Sequence, residues 1–324
     1  MKEYLSFRFK GSELILYWLA FIIIVLAPYF YVSLQSDKIG EAPWISILAF
    51  LLLFIGQLLF TYILYVLLIR GVVYKGEPLE FVGKFGDYLK IIVIGVLLSI
   101  VTIFIYSPWL IQRITSFIIN NTRYKGEPFD FKGKGSTLFL IILLSMVVPL
   151  IIISVIIGII ASQNSGAATP DSLPSIIITI YSFMTILMVV FYYLYYRWFI
   201  NIEYQSILIR LDTKHLPAIG KFFLEILLSI ITLGIYMPLA TVRLYEYFVS
   251  KIKGKRDNVL IFRFGYDIES LKDFLFIWGQ SLLTIITLGV YYPWCIERVG
   301  KRILGKTYVE KFTTSENEAV AEGV

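Results

Sequence analysis

Leu97-Leu-Ser-Ile-Val-Thr-Ile-Phe-Ile-Tyr-Ser-Pro-Trp109, with Arg113 just beyond it, returns twice in this chain. The second copy is Leu227-Leu-Ser-Ile-Ile-Thr-Leu-Gly-Ile-Tyr-Met-Pro-Leu239, followed by Arg243. The third is Leu282-Leu-Thr-Ile-Ile-Thr-Leu-Gly-Val-Tyr-Tyr-Pro-Trp294, followed by Arg298. In all three a Tyr (Tyr106, Tyr236, Tyr291) stands two residues before a Pro (Pro108, Pro238, Pro293), and the Arg stands five after it. Proline cannot continue a helix interior but suits the first turn of a new helix. Each copy therefore predicts an apolar helix that stops, bends at its Pro and starts again, with Ser107 as N-cap of the first restart.

The surroundings of these copies call for a lipid solvent. Of the 324 residues, 58% are hydrophobic, and the mean hydropathy is +0.79; soluble domains are about 45–50% apolar. Charge is missing from 14–36, 42–69, 91–112, 135–170, 172–196, 226–242 and 274–296, and a spanning helix needs about 20 apolar residues. The single Cys (Cys295) and single His (His215) exclude an intrachain disulfide and a Cys/His metal cluster. Cys295 reads as an apolar filler and His215 as a solvated loop residue. The net charge of +6 reflects basic loops beside a membrane rather than nucleic-acid binding. The first apolar run is too long for the h-region of a cleavable signal peptide.

In chain order, Tyr4–Gly11 reads as a short strand, 14–34 as a helix kinked at Pro28, and 43–69 as a second helix. Tyr74-Lys-Gly-Glu-Pro78 is a hairpin signal and returns verbatim as Tyr124–Pro128. Helices 137–161 and 173–197 follow, joined by the polar, Pro-broken linker Ser162–Pro174. Phe262-Arg-Phe264-Gly265 and Thr307–Phe312 read as further strands, and 313–324 as a polar, disordered tail. The motif Phe7-Arg-Phe-Lys-Gly11 recurs as Phe129-Asp-Phe-Lys-Gly133. The implied organisation is a first membrane repeat (1–122), a second (123–254), a terminal half-repeat (255–312) and the tail.

Topology follows from the cations. If all seven runs cross, the 29 Lys and Arg residues divide almost evenly between the two sides. If the three Tyr-x-Pro copies enter and return on one side, all but Lys38 share the cytoplasmic face, as the positive-inside rule requires. The expected fold is therefore an all-α polytopic membrane protein: four spanning helices plus three Pro-bent re-entrant or interfacial helical hairpins, with small cytoplasmic β-hairpins and both termini cytoplasmic. Arms after the second and third prolines alternate apolar and basic residues, which suits helices lying in the interfacial plane.

Arg113, Arg243 and Arg298 are candidate ligands for lipid phosphates or an anionic solute, since guanidinium pairs bidentately with phosphate; the competing reading is snorkelling at the interface. Tyr106, Pro108, Trp109, Tyr236, Pro238, Tyr291, Pro293 and Trp294 are the candidate bend residues. Glu225, followed by seventeen uncharged residues, is a candidate acid at membrane depth, or an interfacial partner of Lys221. Gln57, Asn120, Asn121 and Gln280 suit interhelical hydrogen bonds. No metalloprotease, serine-hydrolase or phosphate-loop motif occurs, so no catalytic residue, cofactor or metal is expected.

Tyr106-x-Pro108-Trp109 and Arg113, then Asn121-Thr122, Gly126, Phe129, Phe131 and Gly133, resemble the YjgN-like family of bacterial inner-membrane proteins, a domain of unknown function. Thr232-Leu-Gly-Ile-Tyr-x-Pro238 and Thr287-Leu-Gly-Val-Tyr-x-Pro-Trp294 fit the same pattern, and the resemblance spans about 70–310. Copy one departs with Ile103-Phe104 in place of Leu-Gly, and copy two with Leu239 in place of Trp. The resemblance implies a bacterial multi-pass inner-membrane protein without an established activity. The residues favour a non-enzymatic scaffold or accessory protein that meets anionic headgroups of the cytoplasmic leaflet or a protein partner. The alternative is a small-solute or lipid transporter or channel of two related halves.

Overall fold

The computed structural model describes residues 2–34, 43–163 and 173–312. The turn at 35–42, most of the Ser162–Pro174 linker and the tail 313–324 lie outside the described residues. Strands and helix pairs alternate: β1 (Lys2–Phe7), α1 (Gly11–Leu34), α2 (Pro43–Gly71), β2 (Val72–Tyr74), β3 (Glu77–Pro78), β4 (Glu80–Phe81), α3 (Phe85–Val101), α4 (Ser107–Asn120), β5 (Thr122–Tyr124), β6 (Glu127–Pro128), β7 (Asp130–Phe131). Then come α5 (Gly135–Ile142, a π turn at Leu143–Val147, and Val148–Gln163), α6 (Leu173–Phe199), β8 (Asn201–Tyr204), β9 (Ile207–Leu211), α7 (His215–Ile231) and α8 (Met237–Val249). The last elements are β10 (Ile252–Arg256), β11 (Val259–Tyr266), α9 (Ser270–Ile286), α10 (Tyr292–Gly305) and β12 (Thr307–Lys311).

The all-α expectation is overturned. The strands do not stay as separate small hairpins; they form a nine-stranded antiparallel sheet, β3-β2-β1-β12-β11-β10-β9-β8-β7, and a three-stranded one, β4-β5-β6. The two sheets are continuous, because β3 and β4 are halves of one strand interrupted at Leu79, and β6 and β7 halves of one interrupted at Phe129. The first half of each bent strand bonds to one neighbour and the second half to the other. Pro78 and Pro128 sit at these interruptions and have no N–H to donate. Counting each bent strand once, ten strands close into a ring. Closure removes the free edges that a short, open sheet exposes.

Each Tyr-Lys-Gly-Glu-Pro repeat makes the tight turn that closure needs. Lys75 and Gly76 have φ of 52° and 80°, and Lys125 and Gly126 have 53° and 81°. Two successive positive φ values are the hairpin turn whose twist matches its strands. Gln205-Ser206 and Asp257-Asn258 adopt the same conformation without glycine.

Every helix pair is framed by two strands that bond to each other. Arg8 N–H donates to Gly71 O (2.8 Å), Val82 to Asn121 (3.0 Å), Lys132 to Asn201 (2.8 Å), Asp212 to Lys251 (2.9 Å) and Asp267 to Lys306 (3.0 Å). These five equivalent bonds define five βααβ units. The units run over 2–74, 80–124, 130–204, 207–256 and 259–311. Adjacent units touch through helices, α2 on α3, α4 on α5, α6 on α7, α8 on α9 and α10 on α1, so the helices also run round the ring. The second arms of the Tyr-x-Pro hairpins thus pack between units; α8 buries Ala240, Val242, Phe248 and Val249.

Units one and three carry the four helices long and apolar enough to span: Gly11–Leu34, Trp44–Gly71, Gly135–Ile156 and Ile180–Phe199. The expected kink at Pro28 takes the form of a π turn, Ile22–Leu26, ending just before it. The π turn Leu143–Val147 stands in the same relation to Pro149. A widened turn relieves the clash between the proline ring and the carbonyl a turn earlier. The other three pairs have first arms of 17 residues, about 25 Å at 1.5 Å per residue.

Trp109 and Trp294 are the joints between units. A Cβ on Gly135 would lie 2.6 Å from Trp109 Cδ1, and one on Gly11 would lie 2.9 Å from Trp294 Cδ1. Leu239 replaces Trp where the next unit's first helix starts at Ser270 instead of Gly. Gly→Ala in a helix ordinarily stabilises by up to about 1 kcal/mol. Here Gly135→Ala should destabilise by about 1–3 kcal/mol through overpacking, with recovery in Gly135→Ala/Trp109→Leu. Thermal unfolding of the purified variants checks both.

Candidate functional site

The three Tyr-x-Pro bends share one geometry, and it differs from the sequence expectation in detail. The chain reverses before the Pro, at paired positive-φ residues: Ile103-Phe104 (50°, 64°), Leu233-Gly234 (50°, 85°) and Leu288-Gly289 (48°, 86°). Pro108, Pro238 and Pro293 only open the second helix. Ser107 is not an N-cap; it lies within the helix, and its hydroxyl donates back to Phe104 O at 2.7 Å. The capping group is a threonine four residues before the Tyr. Thr102, Thr232 and Thr287 Oγ1 accept the N–H of Tyr106, Tyr236 and Tyr291 at 3.0, 3.0 and 3.1 Å. Each threonine hydroxyl in turn donates to the carbonyl one turn back, at 2.8 Å. Phe104, Gly234 and Gly289 N–H donate to Ser99, Ser229 and Thr284 O.

These bonds leave the bends suited to an apolar surround. The tips present Ile103, Leu233 and Leu288 at 83%, 93% and 90% exposure, and a hydrocarbon surround tolerates only backbone whose polar groups are satisfied within the protein. A neighbouring unit closes two remaining carbonyls: Trp18 Nε1 donates to Gly289 O (2.8 Å) and Trp278 Nε1 to Ile235 O (2.7 Å).

Below the second bend, three of the sequence candidates meet. Tyr236 OH donates to Glu225 Oε2 (2.7 Å), and Arg243 Nη1 donates to Tyr236 OH (2.7 Å). Lys221 Nζ binds the other carboxylate oxygen at 2.6 Å. Glu225 is 1% exposed, and a buried carboxylate requires such partners. The network ties α7 to α8. In the third copy Gln280 takes the place of Glu225 and accepts from Tyr291 OH at 2.7 Å. In the first copy that place belongs to Gly95, where Leu110 occupies the space a side chain would need. Tyr106 OH is accordingly buried without a partner.

Arg113, Arg243 and Arg298 hold equivalent positions, 5.8, 5.8 and 5.7 Å over the rings of Tyr106, Tyr236 and Tyr291. The structure does not gather them; each belongs to its own hairpin, and among the described residues none forms an ion pair. Gln57 bonds to Thr61 on its own helix (3.2 Å), and Asn120 Oδ1 accepts Phe131 N–H (2.8 Å), joining a helix to the ring. His215 is exposed, but it opens α7 rather than lying in a loop, with Nε2 2.7 Å from Arg197 Nη1 and Nδ1 3.2 Å from Tyr193 OH.

Sequence reasoning passed over Asp273, which is 1% exposed. It binds Arg302 Nε and Lys306 Nζ, each at 2.6 Å, and accepts Glu269 N–H at 2.9 Å. Its one signal was its place at the edge of the uncharged run 274–296. Beside it, hydrogen bonds from Lys306 and Lys272 hold the Glu269 carboxyl down to about 2. No group of three His, Cys, Asp or Glu able to hold a metal occurs among the described residues.

A strand ring bearing four span-length helices and three self-satisfied apolar hairpins defines a class of membrane protein rather than a known chemistry. The chain belongs to the family described as bacterial protein of unknown function (DUF898), the YjgN-like family, whose model matches residues 76–254. That match runs from the first hairpin turn through β10, covering units two to four. No curated protein and no solved structure matches the chain.

The three copies make one substitution informative. Tyr236→Phe and Tyr291→Phe should each cost about 1–3 kcal/mol, by stranding a buried acceptor. Tyr106→Phe should be neutral or stabilising, because it removes an orphaned hydroxyl. Parallel thermal melts of the three variants check the ranking.

Proposed function

We propose that this is a non-catalytic scaffold of the bacterial inner membrane, with its strand ring on the cytoplasmic face and its three short hairpins sunk in the cytoplasmic leaflet. One observation carries the reading: the strands framing each helix pair bond to each other, so every pair leaves the ring and returns to it. With the ring inside, all cations but Lys38 fall on the side that the positive-inside rule favours. The long pairs then cross twice, and the short ones dip in and come back.

Arg113, Arg243 and Arg298, each lying over a tyrosine, engage the phosphates of anionic headgroups. Such contacts fix hairpin depth and bias the lipids around the ring. A protein partner would meet the exposed hairpin turns. The self-contained hydrogen bonding at Glu225 and Asp273 supports a framework role for both rather than a catalytic one.

Two measurements test this. In a Cys295→Ala background, Lys125→Cys and Asp257→Cys should react with an impermeant maleimide only in inside-out vesicles, and Lys38→Cys only from outside intact cells. Reaction at position 125 in intact cells would overturn the topology. Purified Arg113→Gln/Arg243→Gln/Arg298→Gln protein should carry severalfold less phosphatidylglycerol than the unaltered chain; unchanged lipid would remove the headgroup role.

A further inference from the structure

The ring surrounds a half-open cavity of about 500 Å³, within the roughly 300–1,000 Å³ of small-molecule pockets. Its wall is apolar and aromatic, including Leu5, Phe129, Ile209, Phe264 and Val309. The wall tyrosines turn their hydroxyls to protein acceptors: Tyr204 to Tyr124 O (3.0 Å), Tyr124 to Tyr74 O (3.3 Å) and Tyr74 to Glu3 (2.6 Å). Their rings are left to face the cavity. Three lysines, Lys75, Lys125 and Lys311, line it at the hairpin-turn end.

Those cations are only partly compensated. Lys75 pairs with Glu3 at 2.6 Å, while Lys125 and Lys311 form no ion pair among the described residues. Burial, and then the neighbouring Lys75 and Lys125, push the Lys311 ammonium below its ordinary value. Like charges brought together over an apolar chamber are unfavourable unless an anion joins them. An apolar chamber with a cationic rim fits a molecule with an apolar body and one anionic end.

We propose that the ring is a binding site for a single-chain amphiphile with an anionic head, its tail in the cavity and its carboxylate or phosphate between Lys125 and Lys311. The site lies apart from the Tyr-x-Pro hairpins and does not depend on the scaffold reading.

The test uses full-length protein in phosphatidylcholine proteoliposomes and a photoreactive diazirine analogue of laurate, with adducts mapped to peptides. Adducts are expected on β8–β9 and β11–β12. Lys125→Gln/Lys311→Gln should lower them about tenfold, equivalent to about 1.4 kcal/mol. The control Lys84→Gln/Lys90→Gln should leave them unchanged, and Ile209→Trp should abolish them by filling the cavity. The diazirine analogue of the matching alcohol should label these strands weakly. Stronger competition by lysophosphatidic acid than by laurate would identify a lysolipid, and the reverse a fatty acid; both support the site. Adducts confined to α1, α2, α5 and α6, or equal ring labelling by acid and alcohol, would overturn it. Lys125→Gln/Lys311→Gln alters only side chains at the rim, so it tests the site even if Ile209→Trp does not fold.

Discussion

Five backbone hydrogen bonds, one at the root of each helix pair, govern the architecture. Because Arg8, Val82, Lys132, Asp212 and Asp267 each reach across to the strand that ends their own unit, every helix pair departs from the ring and returns to it. The distal part of a pair is then free to vary. Units one and three extend theirs to span length; the others stop at about 25 Å. The ring stays the same under both, since a strand ladder senses only where the chain departs and returns.

That freedom needs bends whose backbone polar groups are satisfied without water. The Thr-x-x-x-Tyr-x-Pro spacing supplies them: the threonine hydroxyl takes the N–H of the Tyr that precedes the returning helix, and the second residue of the left-handed pair sends its N–H back to the departing one. Proline, the most visible residue of the motif, contributes by having no N–H that would need an acceptor. Buried polar groups below the tips follow the same logic. Where a unit has room for an acceptor, at Glu225 or Gln280, the tyrosine is satisfied. Where Leu110 fills that room, it is not.

Much of this was legible in the sequence. The three hairpins, the span-length segments, the Lys-Gly turns and the proximity of Glu225 to Lys221 all rest on local patterns, and local patterns survive in a one-dimensional reading. The ring did not. Strands of two or three residues such as Glu77–Pro78 and Asp130–Phe131 carry no periodicity to detect, and Asp130 finds its partner only at Glu203. Asn201–Leu211 was hidden in another way, since its turn uses Gln205-Ser206 rather than glycine. Asp273 and His215 were missed because their partners, Arg302, Lys306, Tyr193 and Arg197, come from other elements of the chain.

The seam between β1 and β12 joins opposite ends of the chain, with Lys2 opposite Glu310 and Tyr4 opposite Tyr308. During synthesis β1 is made before the other described strands, and its second neighbour exists only once β12, the last of them, has followed. Until then the incomplete arc carries two raw strand edges, a state prone to pairing with other chains. Assembly therefore behaves like fastening a clasp: the last of the described strands to be made is also the one that closes the ring.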